Sequence, residues 1–420
     1  MSGLTPPRFD NDCFALPPGV DWTPVDEALA RLRARLHPVV ATETLQLDQA
    51  LGRYLAEDVR AHRANPPAAN SAVDGYGFRR AATGEGDQTL PLAQGRAAAG
   101  APFAGAVPPG HAVRILTGAV LPEGVDTVVL EEDCAVNDTH VAFAGPVRHG
   151  ANTRRAGEDV EEGAVALSAG TRLGPPEVAL LSATGVTTVP VSARLRVGVL
   201  STGDEIVESG TTDDPTRTYD ANRPMLLSLL RDWGLIALDL GHAPDERAEL
   251  RTVLDAASER TDAILTSGGA SAGDEDHVSA LLGETGSRAD WRIALKPGRP
   301  LALGVWNGRP VFGLPGNPVA ALVCTMIFAR PAFALMGGGG WRDPQGITVP
   351  AAFEKRKKPG RREYLRARLT AEGHAEVFHS EGSGRISGLA WADGLVEIGD
   401  GAHHITPGDP VRFISYASFR

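Results

Sequence analysis

Between residues 195 and 335, short apolar runs of strand length alternate with stretches of helical period, and no other feature restricts the possible folds as much. Residues 197–200, 236–240 and 263–265 have the length and composition of buried strands, and the pattern predicts helices at 223–233 and 245–260. In the second helix Leu250, Val253, Leu254 and Ala257 recur at i, i+3, i+4 and i+7, one face of a 3.6-residue period. Strand and helix in this succession require right-handed crossovers, hence a doubly wound, mostly parallel α/β sheet with helices on both faces.

At 420 residues the chain exceeds one such domain. Val25, Ala28, Leu29, Leu32 and Leu36 mark an amphipathic helix, and a second helix is predicted around 45–55. Residues 60–150 lose the helical period and carry many Gly and Pro between short β runs, including 112–116 and 127–130. A helix is expected to start at Pro175 and Pro176. The expected organisation is α/β multidomain. It comprises a discontinuous helix and strand domain at 20–58 and 150–193, a β-rich domain at 59–149, the α/β domain at 194–336 and a small C-terminal β domain at 341–420. The run 337–340, all glycine, reads as a flexible joint, and the apolar helix 319–336 reads as broken by Arg330.

Asp and Glu outnumber Lys and Arg by 52 to 41, a net charge of −11, which disfavours bulk contact with nucleic acid. An anionic ligand must therefore meet a local positive site. Cys13, Cys134 and Cys324 show no disulfide or zinc spacing, and no apolar segment reads as a signal or a membrane span, so a cytoplasmic protein is expected. Of the 41 basic residues only Lys296, Lys355, Lys357 and Lys358 are lysines, so an isolated one such as Lys296 is an informative choice. The basic run 355–362 reads as a solvated face or a hairpin.

Ligands of an open α/β sheet bind beyond the carboxyl ends of its strands. Four loops lie there: Ser201-Thr202-Gly203-Asp204-Glu205, the stretch 266–276 with Ser267, Gly268, Gly269, Ser271, Asp274 and Asp276, Lys296-Pro297-Gly298-Arg299-Pro300 after a strand at 293–295, and Leu314-Pro315-Gly316-Asn317-Pro318 after 311–313. Glycine lets backbone N–H groups approach an anion, so these loops form a candidate phosphate cradle with Arg292 and Lys296 beside it. Asp204, Glu205, Asp274 and Asp276 supply the hard oxygens that suit Mg²⁺ shared with substrate phosphates. Singly, such acids also serve as helix caps and such basic residues as rim charges. Four loops on one rim point to a ligand.

The segments SAVDGYG (71–77), RILTGAVLP (114–122), RRAGEDV (154–160), STGDEI (201–206), YDANRPM (219–225), TSGGASAGDED (266–276), LKPGRP (295–300) and GLPGNPVAA (313–321) together resemble the molybdopterin molybdenumtransferases, or molybdenum insertases, which include the insertase domain of gephyrin. The resemblance spans about residues 20–335. It implies an elongated four-domain homodimer with a C-terminal β-barrel-like domain, in which the β-rich domain of one subunit closes the pterin site of the other. The implied reaction inserts molybdenum from molybdate into adenylylated molybdopterin, with Mg²⁺-dependent release of AMP. Other molybdenum cofactor biosynthesis proteins are implied partners. The family's functional acids fall on Asp74, Asp159, Glu205, Asp220, Asp245 and Asp276, with Thr117, Asn222, Arg292, Lys296, Pro315 and Pro318 beside them. Arg292 and Arg299 stand where lysine is at least as usual, and in the C-terminal domain, the poorest match, Arg366 and Ser383 are the corresponding candidates.

Two other readings stay open. The α/β domain alone also resembles molybdopterin adenylyltransferase, a nucleotide enzyme, against which the motifs holding Asp74 and Thr117 argue. A non-enzymatic scaffold would need an added partner-binding extension, for which 420 residues leave no room.

Overall fold

The computed structural model describes residues 22–268, 277–284, 289–291, 293–298, 301–382 and 384–419. The chain divides into two compact units, Met1–Thr42 with Ser192–Arg420 and, separately, Glu43–Val191.

In the first unit a six-stranded sheet runs in the order Ile236–Ala243, Arg196–Thr202, Ala263–Ser267, Arg309–Leu314, Leu301–Trp306 and Ala289–Trp291. The first four strands are mutually parallel, Leu301–Trp306 alone runs against them and Ala289–Trp291 runs with them again, so the sheet is doubly wound and mostly parallel, as expected. Strand Arg196–Thr202 is buried on both faces from Val197 onward, as a central parallel strand must be. At its start the Asp262 carboxylate takes the Arg196 Nη2 and backbone N–H, both at 2.8 Å, locking it to the next strand. The chain leaves this strand to one side and returns on the other, so the topological switch point lies between Thr202 and Ser267.

The hairpin joining Leu301–Trp306 to Arg309–Leu314 turns on Asn307 and Gly308, both at positive φ, the Asn-Gly chemistry of a tight turn. Its strand Leu301–Trp306 occupies the place beside Arg309–Leu314, and the strand predicted at 293–295 is not in this sheet. Leu295–Lys296 instead pairs in parallel with Arg362–Leu369 of the C-terminal sheet, placing Lys296 opposite Glu363.

Helix Pro318–Met336 is the only segment among the described residues long and apolar enough to cross a membrane, and it is buried in the protein instead. Arg330 does not break it. A π-turn at Thr325–Ala329 carries the helix through, and the buried guanidinium lies over Trp233, its Nε donating to the Phe419 carbonyl at 2.5 Å. The 337–340 run is a helix end and no loose joint: Gly337 N–H bonds to Phe333 O and Gly339 N–H to Ala334 O, with Gly338 at φ 88°. Helix Val25–Arg35 packs Val25, Ala28 and Leu32 into the same core as Leu226, Phe312 and Phe328. The C-terminal sheet continues Arg362–Leu369, Gly394–Ile398, Pro410–Ser415, Ile347–Pro350 around Phe353, Leu365, Val396 and Phe413.

The second unit contains a mixed sheet in the order Thr127–Leu130, Gly75–Phe78, Ala112–Ile115, Gly86–Ala97, His140–Gly145, Cys134–Val136. Its other core joins Leu47, Leu55 and Val59 to Leu173, Leu181 and Val191. The helix predicted at 45–55 is absent: the chain forms strand Thr42–Gln46 and a single 3₁₀ turn, Leu47–Gln49. Gly52 at φ 79° ends any helical path, and the long-range β-bridges Tyr54 with Arg172 and Leu55 with Val191 hold the segment extended. Helix Pro175–Ala183 starts at its two prolines as predicted.

Candidate functional site

The loops after the strands ending at Thr202, Ser267 and Leu314 meet at the switch point, and Asn222 ties two of them together. This buried side chain donates from Nδ2 to Ser267 Oγ and to the Gly316 carbonyl, each at 2.7 Å, while its Oδ1 has no partner among the described residues. Gly268 N–H donates to Leu314 O at 3.1 Å. Gly268 sits at φ 99°, and a Cβ there would lie 2.9 Å from the Thr202 carbonyl, so only glycine lets the two loops approach this closely. Ser201 Oγ donates to Asp220 Oδ2 at 2.6 Å, and the other carboxylate oxygen takes the Arg223 N–H at 3.0 Å. Arg223 then bridges Asp220 and Asp239. Asp220 is thereby buried and fully bonded, a scaffold for the start of helix Asn222–Asp232, from which Asn222 projects. Pro315 is buried, and Pro318 opens the long helix, capped by Asn317 accepting from Val319 N–H at 3.2 Å.

Asp204 and Asp245 cross-link two of the loops: each side chain accepts the other residue's backbone N–H, at 3.0 Å into Asp204 and 3.3 Å into Asp245. Burial, with the charges of Asp204 and Glu205, raises the Asp245 carboxyl above its ordinary range. Glu205 folds back over Gly203, whose φ is 125°. Among the described residues no group of three or more His, Cys, Asp or Glu is arranged around a metal position. Mutually repelling carboxylates with hard oxygens nevertheless fit a divalent cation completed by substrate phosphates. Gly269, Ser271, Asp274, Asp276, Arg292, Arg299 and Ser383 lie outside the described residues.

Lys296 opens into a second feature, a cavity of about 180 Å³ between the helix at Val319 and the C-terminal sheet. Its Nζ lies 2.7 Å from Glu381 Oε2 and 3.6 Å from Glu363 Oε1. Lys355 Nζ lies 3.0 Å from Glu363 Oε2 and also bonds Glu381 Oε1. The basic run is not a hairpin, and only part of it, including Arg356 and Lys358, is a solvated face. Lys355 enters this cavity, and buried Lys357 donates to the carbonyls of Lys358, Asp400 and Gly401, its ammonium held below the ordinary lysine range by burial. Arg366 is buried on the face of Phe378 and gives its guanidinium to the carbonyls of Ser380, Gly382 and Arg385, which holds the loop bearing Glu381. Lys355, Glu363 and Glu381 fall in none of the eight motifs. The scarcity of lysine was the one sequence signal that could have found Lys355.

In the second unit Asp74 accepts both the backbone N–H and the hydroxyl of Thr117 at 2.6 Å, and these bonds pull its exposed carboxyl below the usual range. The next residue, Gly75, is a packing requirement, since a Cβ would fall 1.9 Å from Val129 O. Exposed Asp159 pairs with Asn65, accepting its Nδ2 at 2.9 Å and returning an N–H to its carbonyl at 3.1 Å.

Family profiles match in three consecutive blocks: "MoeA N-terminal region (domain I and II)" over residues 23–185, "probable molybdopterin binding domain" over 198–334 and "MoeA C-terminal region (domain IV)" over 348–416. A molybdopterin molybdenumtransferase of Haemophilus influenzae is 37% identical over 358 residues, 84% of this chain and 88% of that one. Molybdopterin molybdenumtransferase 2 of Mycobacterium tuberculosis is 32% identical over 378 residues, 87% of this chain and 93% of its own length. The crystal structure of a molybdopterin biosynthesis MoeA protein from Pyrococcus horikoshii OT3 superposes with a TM-score of 0.82 at 27% identity, covering 94% of this chain and all of that one.

Proposed function

The chain belongs to the molybdopterin molybdenumtransferase family, transferases of molybdenum cofactor biosynthesis, and from that premise we propose that it moves molybdenum from molybdate into adenylylated molybdopterin with Mg²⁺-dependent release of AMP. The observation that carries this reading is the interlock of three post-strand loops at the switch point through Asn222 and Gly268, with the Lys296 cavity in the same unit.

In this reading the loop amides from 201–205 and 267–271 bind the diphosphate, and Asn222 and Asp220 hold those loops in register. Asp204, Glu205, Asp245, Asp274 and Asp276 would hold Mg²⁺, which supplies charge neutralisation of the diphosphate and polarisation of its phosphorus. Water attacks the adenylyl phosphorus, the anhydride P–O bond to the pterin's own phosphate breaks, and AMP separates from the pterin, which keeps its phosphate. Lys296 holds the tetrahedral oxyanion, and Arg292 and Pro318, which the family resemblance sets beside it, are further candidates for that site. No redox partner is required, because the metal enters as the oxidised oxyanion.

The working unit in this reading is a cytoplasmic homodimer in which the exposed Asp74 and Thr117 turn, with Asp159, completes the site of the partner subunit. Its support is that these polar groups are exposed and held rigid by their own hydrogen bonds. The test is to incubate purified protein with adenylylated molybdopterin, molybdate and MgCl₂ and to follow AMP by chromatography. AMP release requiring both molybdate and Mg²⁺ is expected. Absence of AMP with all three present overturns the assignment.

A further inference from the structure

Lys296, Lys355 and Glu381 line the cavity and Glu363 pairs with both lysines, so four charged side chains close a ring, and they are not equivalent. Lys296, Lys355 and Glu363 are 17%, 9% and 11% exposed, whereas Glu381 is 48% exposed. Glu363 is fixed in the Arg362–Leu369 strand opposite Lys296 and Ile398. Glu381 lies on an irregular segment positioned through its neighbours, since Arg366 holds the carbonyls of Ser380 and Gly382 on either side of it. The two oxygens of Glu381 reach different lysines, Oε2 to Lys296 and Oε1 to Lys355. A single anion thus bridges two ammonium groups, as one edge of a tetrahedral oxyanion would.

Charge makes the consequence definite. Two ammoniums and two carboxylates sum to zero, and a neutral ring draws a dianion weakly; with Glu381 swung away the same ring carries a net positive charge. Burial opposes ionisation of Glu381, yet the bonds from Lys296 and Lys355 outweigh it and hold the carboxyl below its usual range. The position between the lysines is therefore occupied by charge already. Two of the chain's four lysines are committed to it.

We propose that Glu381 is a resident competitor whose carboxylate fills the oxyanion position between Lys296 and Lys355, so that molybdate binds by displacing it and Lys355 is the second cation of that site. The proposal rests on the reading that Lys296 holds the oxyanion. It adds a threshold: an anion must out-compete a tethered carboxylate, which a doubly charged tetrahedral oxyanion can do and a monoanion of similar size cannot.

The experiment is calorimetric titration of the full chain with molybdate, and with perrhenate as a tetrahedral monoanion of similar size, for the unaltered protein and for Glu381→Gln, Lys355→Gln and Lys296→Gln. Glu381→Gln is expected to bind molybdate about tenfold more tightly at low salt, the gain shrinking as ionic strength rises, and to bind perrhenate measurably. Lys355→Gln and Lys296→Gln are each expected to weaken molybdate binding about tenfold. Tighter binding cannot arise from a misfolded variant, so the Glu381 result stands without a stability control. If both lysine variants lose affinity while Glu381→Gln binds as the unaltered protein or more weakly, the competitor is refuted and the Lys296 assignment stands. If Lys296→Gln and Lys355→Gln both bind normally, the oxyanion assignment itself fails.

Discussion

Asn222 gives the sharpest quantitative test of how the loops are held. Truncation to alanine removes two hydrogen bonds of 2.7 Å, each contributing about 1 kcal/mol net, and leaves the Gly316 carbonyl short of a donor. Against this, the buried Oδ1, unpartnered among the described residues, no longer has to be desolvated, which returns part of the loss. The balance is about 1–2 kcal/mol, concentrated where the loops meet. The amide of Gly268, bonded to Leu314 O, reports on that junction. With about 1.4 kcal/mol per decade, its native-state hydrogen exchange should quicken roughly fivefold to thirtyfold in Asn222→Ala. Asn222→Asp is the discriminating partner. It is nearly isosteric, but it turns the donor that faces the Gly316 carbonyl into an acceptor and leaves a buried charge, so it must be less stable than Asn222→Ala in urea. If Asn222→Asp unfolds at or above the urea midpoint of Asn222→Ala, or if Gly268 exchange is unchanged by truncation, Asn222 is not the tie described above.

Gly268→Ala should cost about 2–3 kcal/mol, because the left-handed φ and the 2.9 Å approach to Thr202 O act together; urea unfolding within 0.5 kcal/mol of the unaltered protein would count against it. Thr117→Val should move the Asp74 carboxyl back up toward the ordinary range, measured by NMR titration, since the hydroxyl bond is the largest cause of its depression. The sign follows: a depressed folded value stabilises the fold above the unfolded pKa, a contribution lost as pH falls through the folded value, so the variant should lose less stability on acidification. For the proposed dimer, Asp74→Asn and Asp276→Asn chains should each be nearly inactive alone, while co-expression restores about a quarter of the activity through mixed dimers with one intact site. Tagged mixed dimers that stay inactive would place both acids in one chain's site.

What was legible in the sequence is what depends on neighbours along the chain. Apolar runs of strand length at 197–200, 236–240 and 263–265 and period-3.6 spacing at 223–233 and 245–260 fall on the strands Arg196–Thr202, Ile236–Ala243 and Ala263–Ser267 and the helices Asn222–Asp232 and Arg247–Arg260, and the loops after the strands are contiguous motifs that can be read as written. The failures share a cause. At 45–55 helical spacing lost to pairing with residues 172 and 191, and the strand near 295 pairs with the C-terminal strand Arg362–Leu369, far on in the chain, in place of the α/β sheet. Whether a polar side chain faces a ligand or is spent on its own backbone was also decided in three dimensions: Arg366 gives its donors to three carbonyls, and Asp220 to a serine and an arginine gives both its oxygens. The ring of Lys296, Lys355, Glu363 and Glu381 draws on positions up to 85 residues apart, so no local period encodes it. Packing brings those charges together, and Coulomb energy at a few ångströms, negligible along the extended chain, then determines what they can bind.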